Sequence, residues 1–208
     1  VARPCQCREQ KEIARMIRAS GLTPEQRAVR ISRFRPFPAT LPMLRAVQRY
    51  LSEFPELHAR DTAARGLALT GTVGVGKTML ATAVANELLD RRIPVVFVVT
   101  PDLIAELRVA QFAEGGQDLE RKVHKLSTAE VCIFDDVAKE KPSEWVQTQY
   151  FRIVDGRWRN RLPTVFTSNY SFDGIAERLG DAVASRLYAL TRGRQVFIEA
   201  EDYRLKGE

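Results

Sequence analysis

Three groups of residues have the types and spacing to work on a phosphate ester. The first is Gly71-Thr72-Val73-Gly74-Val75-Gly76-Lys77-Thr78, which meets the pattern G-x-x-x-x-G-K-S/T at each fixed position. Closely spaced glycines let backbone N–H groups converge on phosphate oxygens, and a following helix adds the positive end of its dipole. The pattern assigns Lys77 to the β- and γ-phosphates and the Thr78 hydroxyl to Mg²⁺. The second group is Asp135-Asp136, at the end of the apolar run Val131-Cys132-Ile133-Phe134. A phosphate-loop protein needs an acidic residue there to hold the Mg²⁺ shell, and Asp135 takes that role. Asp136 is placed to polarise an attacking water as a general base. The third is Asn169, after Thr164-Val165-Phe166-Thr167-Ser168. Its amide both donates and accepts, so it can orient that water. A strand ending in a polar turn would use the same residue types. It is the glycine loop upstream that favours the chemical reading.

These groups need strands to carry them and helices to cover the strands. Apolar runs predict strands at 67–70, 94–99, 130–134, 163–167 and 194–198. Helical stretches at 77–91, 101–113, 117–127 and 144–160 are long enough to cross between parallel neighbours. Alternation of this kind predicts an α/β, doubly wound parallel sheet, which binds ligands at the carboxyl ends of its strands. Cys132 is expected in the core, as an inert thiol. Upstream, Leu41 to Phe54 reads as an amphipathic helix with Leu44, Val47, Tyr50, Leu51 and Phe54 on one face. The linker Arg33-Phe34-Arg35-Pro36-Phe37-Pro38 is rich in breakers, rings and cations. Phe34 and Phe37 are expected to anchor it to the core; the competing use is a grip on an adenine ring.

Composition narrows the classes. The chain has 208 residues, 28% of them charged, with a net charge of +6. No apolar run approaches the roughly 18 residues a membrane span needs. No signal peptide is evident, and three cysteines are too few for a disulfide scaffold. A cytoplasmic protein with no membrane partner is expected. The basic excess points to a polyanionic partner, nucleic acid first. Residues 1–35 form a basic extension with two short helical stretches, one carrying Ile13, Met16 and Ile17, the other opened by Thr23 and Pro24. Residues 36–208 are expected to form the main domain. Cys5 and Cys7 could be half of a four-ligand zinc site, but two thiolates do not close a tetrahedron.

The collected motifs resemble the AAA+ ATPases of the DnaC/DnaI type, bacterial replicative helicase loaders; IstB-like transposition ATPases share nearly the same core. The loop Gly71–Thr78 with Met79-Leu80-Ala81 looks like the Walker A motif, and Phe134-Asp135-Asp136-Val137 like Walker B. Lys139-Glu140-Lys141-Pro142-Ser143-Glu144-Trp145, Arg159-Asn160-Arg161-Leu162-Pro163-Thr164 and Thr167-Ser168-Asn169-Tyr170 read like family sequence. Ala184-Ser185-Arg186-Leu187 resembles the arginine-finger segment and Asp202-Tyr203-Arg204 the terminal motif.

The resemblance implies a P-loop AAA+ fold with a reduced C-terminal lid and a short N-terminal helical extension. It implies ATP and Mg²⁺ bound by Gly71 to Met79 with Asp135, and catalysis by Asp136 with Asn169 as sensor. Arg186 would act in the site of a neighbouring copy, so the protein would self-associate through the ATP site. Arg204 would be a second, cis-acting sensor. A helical insert at Thr100–Leu126, started by Thr100 as N-cap and bent at Gly115-Gly116, would meet single-stranded DNA. Arg108 and Phe112 on one helix face, and Trp145 with Lys139 and Lys141 nearby, are the DNA candidates. The partner implied is a hexameric replicative helicase, at an origin or restart site. Cys5 and Cys7 look like the last two ligands of the family's zinc module, so zinc is expected only in a longer chain. The rival functions are a transposition helper on duplex DNA, a small-metabolite P-loop kinase working as a monomer, and a nucleotide-dependent interaction module.

Overall fold

The strands lack polar alternation because both faces of the sheet are covered. In the computed structural model, which describes residues 6–60, 62–140 and 143–202 with side chains from Gln10 onward, five strands form one parallel sheet. They are β1 (Leu67–Gly71), β2 (Val95–Val99), β3 (Val131–Val137), β4 (Thr164–Ser168) and β5 (Gln195–Ile198), in the order β2-β3-β4-β1-β5. The helices are α1 (Gln6–Ala19), α2 (Pro24–Arg27), α3 (Leu41–Ala59), α4 (Lys77–Asp90), α5 (Thr100–Ala110), α6 (Gln117–Thr128), α7 (Glu144–Arg159), α8 (Phe172–Leu179) and α9 (Asp181–Thr191). This is the expected doubly wound arrangement. Along each strand, neighbours alternate between two cores. Leu67, Leu69, Val131, Ile133 and Val165 pack with Val47, Leu51, Leu80, Val84 and Leu88 from α3 and α4. Ala68, Cys132, Phe134 and Phe166 pack with α5 to α9. Burial pushes the Cys132 thiol up to about 11, so it stays protonated and unreactive. Among the described residues, no helix is long and apolar enough to cross a membrane.

Several polar residues tie the helices to this frame. Pro55 sits inside α3 and has no N–H for the carbonyl of Leu51. Arg91 supplies the missing donor at 2.6 Å. The N-terminal stretch packs on the same body. The carbonyl of Ser20 accepts from the Phe97 N–H on edge strand β2, 2.7 Å away, which covers part of an otherwise open edge. Arg27 donates to Asn86 at 2.7 Å and to Asp90 at 2.6 Å. The buried amide of Asn86 returns donors to the carbonyls of Gln26 and Val29.

The main internal strut is Arg157, fully buried on α7. It has no carboxylate partner among the described residues; its charge is met by oxygen dipoles. It donates to the carbonyls of Leu126, Ala129 and Pro163 and to the Thr164 hydroxyl, all within 2.6–2.9 Å. Those bonds join the end of α6, the turn before β3 and the start of β4. Burial lowers its pKa from the usual guanidinium value. Arg157→Leu would leave three carbonyls without these donors, a loss of about 3 kcal/mol or more. Arg157→Lys, with a compact head that cannot reach all four oxygens, restores little. Urea unfolding checks this; a loss under about 1 kcal/mol for both variants would contradict it.

Candidate nucleotide site

The site forms where β1, β3 and β4 end side by side. Backbone pairing sets both Thr70 of β1 and Val137 of β3 opposite Ser168 of β4. The β1 tip turns through the phosphate loop into α4. Gly76 caps α4 with φ 90°, and a side chain there would strike the Phe34 ring. Gly74, at φ 79°, lies against the Asp202 carboxylate. At both positions only glycine gives the backbone conformation and the room. Thr72 fastens the loop to the segment after β5: its hydroxyl donates to the Ala200 carbonyl and accepts from the Ala200 N–H at 3.0 Å.

A cleft of about 660 Å³ opens above the loop. Val73 to Met79, Asp136 and Asn169 line it. Gly71 and Thr72 are not in the lining; they form the back of the loop. Lys77 is 5% exposed, and its ammonium donates to the carbonyls of Gly71 at 2.8 Å and Thr72 at 2.6 Å. It thus holds the loop's curvature while sitting at the floor of the cleft.

One buried carboxylate organises the region beside Thr78. Asp135 is 3% exposed, and its Oδ1 accepts from the hydroxyls of Thr78 at 3.0 Å and Thr167 at 2.6 Å. Burial raises its pKa; the two hydroxyls and the Lys77 charge oppose that shift. A hydroxyl beside a carboxylate is a hard oxygen pair, and this fits Mg²⁺. Among the described residues, no group of three or more His, Cys, Asp or Glu could hold a metal. The zinc expectation rests on Cys5 and the side chain of Cys7, which lie outside the described residues.

Asp136 owes its direction to backbone distortion. The β3–β4 register shifts between Phe134 and Val137, and Asp136 has φ 59°. Such bulges re-aim side chains beside active sites. The Asp136 N–H is held by Thr167 Oγ1 at 2.9 Å. Its Oδ2 accepts from Lys139 at 2.8 Å, while Oδ1 has no partner among the described residues. That bond raises the pKa of Lys139. Behind it, Tyr150 donates to Glu140 and Arg178 donates to the carbonyls of Ala138 and Glu140, fixing the turn.

Several sequence expectations change. Lys139, expected near Trp145, lines the nucleotide cleft. Thr100 does not cap α5: Val99 stands at that position and Thr100 is the first helical residue. Its hydroxyl donates to the Asp135 carbonyl instead. Phe34 does pack on the core, and both Phe34 and Phe37 also line the cleft with Arg33 and Arg35. The ring-rich, basic linker was the signal for this. Thr167 went unassigned because its two partners lie about 31 residues away and no local pattern marks them.

The remaining candidates lie apart from the cleft lining. Arg186, on α9, bonds Asp155 and stacks on Trp158. Arg108 lies over the Trp145 ring, 5.9 Å from its centroid. Phe112 falls past the end of α5 and is 83% exposed. Glu114, Gly115 and Gly116 all have positive φ, which makes the sharp turn into α6. Arg204 and Lys141 lie outside the described residues.

Known proteins resemble this chain in sequence and fold. The replicative helicase loader DnaI of Bacillus subtilis is 32% identical over 131 residues, 62% of this chain and 41% of DnaI. The replicative helicase loader DnaC of Escherichia coli is 26% identical over 144 residues, 69% of this chain and 56% of DnaC. These alignments span less than two thirds of either loader. A crystal structure of DnaI superposes with TM-score 0.67 at 27% identity, covering 86% of this chain and 94% of that one. The family described as IstB-like ATP binding protein matches residues 1–208. The chain therefore belongs to the IstB-like ATP binding protein family, AAA+ ATPases that include relatives of the DnaC/DnaI type.

Proposed function

We propose that this chain binds and hydrolyses ATP in the cleft above its phosphate loop, and that the ATP state controls loading of a hexameric replicative helicase onto single-stranded DNA. The observation that carries this reading is the convergence of Lys77, Thr78, Asp136 and Asn169 on one cleft, with Asp135 buried behind Thr78. Lys77 meets the β- and γ-phosphates, and loop N–H groups from Val73 to Met79 take up the rest of the triphosphate. Thr78 and Asp135 would hold Mg²⁺, which when bound would neutralise charge on the phosphate oxygens. Asn169 orients a water against the γ-phosphorus. The water oxygen bonds to phosphorus, its proton passes to Asp136, and the bond to the β-phosphate oxygen breaks to release ADP. Arg186 reaches the γ-phosphate of a neighbouring copy, and Arg204 acts in cis. Phe34 and Phe37 flank the base.

Loader function rests on the likeness to DnaI and DnaC. The DNA-binding role rests on the α5–α6 turn: Phe112 offers an open ring face for a base, and Arg108 over Trp145 offers a cation for the backbone. The helicase is the protein partner. One observation favours a second reading, a transposition helper acting on duplex DNA: the IstB-like family matches the chain over its whole length.

Lys77→Ala should abolish detectable ATP binding. Asp136→Asn should bind ATP within about threefold of wild type yet turn over about 10²- to 10³-fold more slowly. Equal loss of binding and turnover in Asp136→Asn would contradict its role. Turnover should rise with single-stranded DNA, and Phe112→Ala should blunt that rise. Stimulation by duplex DNA alone would transfer the assignment to the transposition reading.

A further inference from the structure

Helices α7 and α9 pack against each other, and at their contact one carboxylate meets two cations. Asp155 is 5% exposed. One of its oxygens accepts from Arg186 Nε at 3.0 Å, and the other is ion-paired with Arg159 Nε at 2.8 Å. The Arg186 guanidinium lies over the Trp158 ring, 4.3 Å from its centroid. Asp155, Trp158 and Arg159 sit three and four residues apart on α7, so one helix face presents all three.

Two features set this cluster apart from a plain structural tie. A single carboxylate cannot neutralise two guanidinium groups, so a positive charge is left over. The bond to Arg186 also uses only Nε, and the two terminal nitrogens have no partner among the described residues. The part of a guanidinium that grips a phosphate is therefore left unspent. A bare arginine side chain would have to be immobilised as it acts; this one is already held by an edge and by a face.

We infer that Asp155 and Trp158 are positioning residues for Arg186, holding its terminal nitrogens ready for the γ-phosphate of ATP bound to a second copy of the chain. The inference rests on the reading of Arg186 as a group acting in trans. Asp155 and Trp158 touch no nucleotide in their own subunit. Their effect should fall on turnover in the neighbouring site and vanish when Arg186 is gone.

The test is ATP turnover at assembling protein concentrations, with nucleotide affinity measured in parallel. Arg186→Ala should lower kcat by about 10³-fold or more. Asp155→Asn should lower it by about 10- to 100-fold, the cost of a misplaced group, with ATP affinity within about twofold of wild type. Adding Asp155→Asn to Arg186→Ala should lower kcat no further. Trp158→Leu, which removes the stacking face but leaves the bond, should behave like a milder Asp155→Asn and carries the test should that variant not fold. An equimolar mixture of Asp155→Asn with Lys77→Ala should exceed the summed activity of the two alone, because the Lys77→Ala copy presents an intact Arg186. An undiminished effect of Asp155→Asn in the Arg186→Ala background, or no gain on mixing, overturns the inference while leaving the trans role standing. Wild-type turnover in Arg186→Ala would instead remove the trans role itself.

Discussion

One buried oxygen governs the phosphate end of this molecule. Asp135 Oδ1 accepts from Thr78, in the first turn of α4, and from Thr167, next to the end of β4. The same Thr167 hydroxyl accepts the Asp136 N–H, and the Asp135 carbonyl accepts from Thr100 at the start of α5. Three elements, α4, β4 and α5, are thus pinned to the tip of β3 by hydroxyl groups. A carboxylate in this position is costly to bury, and its raised pKa records that cost. The hydroxyls offset part of it, and a divalent cation would offset more. The arrangement is sound as a structure and strongest when loaded.

The loop is braced from other sides in the same way. Lys77 curls onto the carbonyls of Gly71 and Thr72, Phe34 closes over Gly76, and Thr72 ties the loop to Ala200 beyond β5. Lys77, Phe34 and Gly76 line the cleft, so their contacts are exposed to what enters it. Arg157 does the opposite work: it lies away from the cleft and stiffens the far end of the sheet through oxygens that no ligand reaches. A frame rigid at one end and adjustable at the other suits the proposed role, in which partners would read the nucleotide state.

Much of this was legible in the sequence because it is local. Each strand was placed within a few residues by its apolar run. Glycine spacing marked the phosphate loop, and Asp135, Asp136 and Asn169 were marked by ending strands. What was hidden depends on pairing at long range. Thr167 and Thr100 look like ordinary strand-end and helix-start residues until β3 lies beside them. Lys139 turned toward Asp136 because the bulge in β3 redirected the chain, and a bulge leaves no fixed pattern in a single sequence. The linker rings were ambiguous because packing on a core and lining a cleft favour the same residues; Phe34 does both. The hold on Arg186 needed α7 and α9 to be side by side.

The central claim is that Asp135 makes this cleft a site for Mg²⁺ with ATP, not for a nucleotide alone. It is tested most directly by the affinity of a non-hydrolysable ATP analogue, measured with and without Mg²⁺ in wild type and in Asp135→Asn. The account predicts that Mg²⁺ tightens binding to wild type by about tenfold or more, about 1.4 kcal/mol, and that Asp135→Asn loses this gain. An equal gain from Mg²⁺ in both proteins would contradict it.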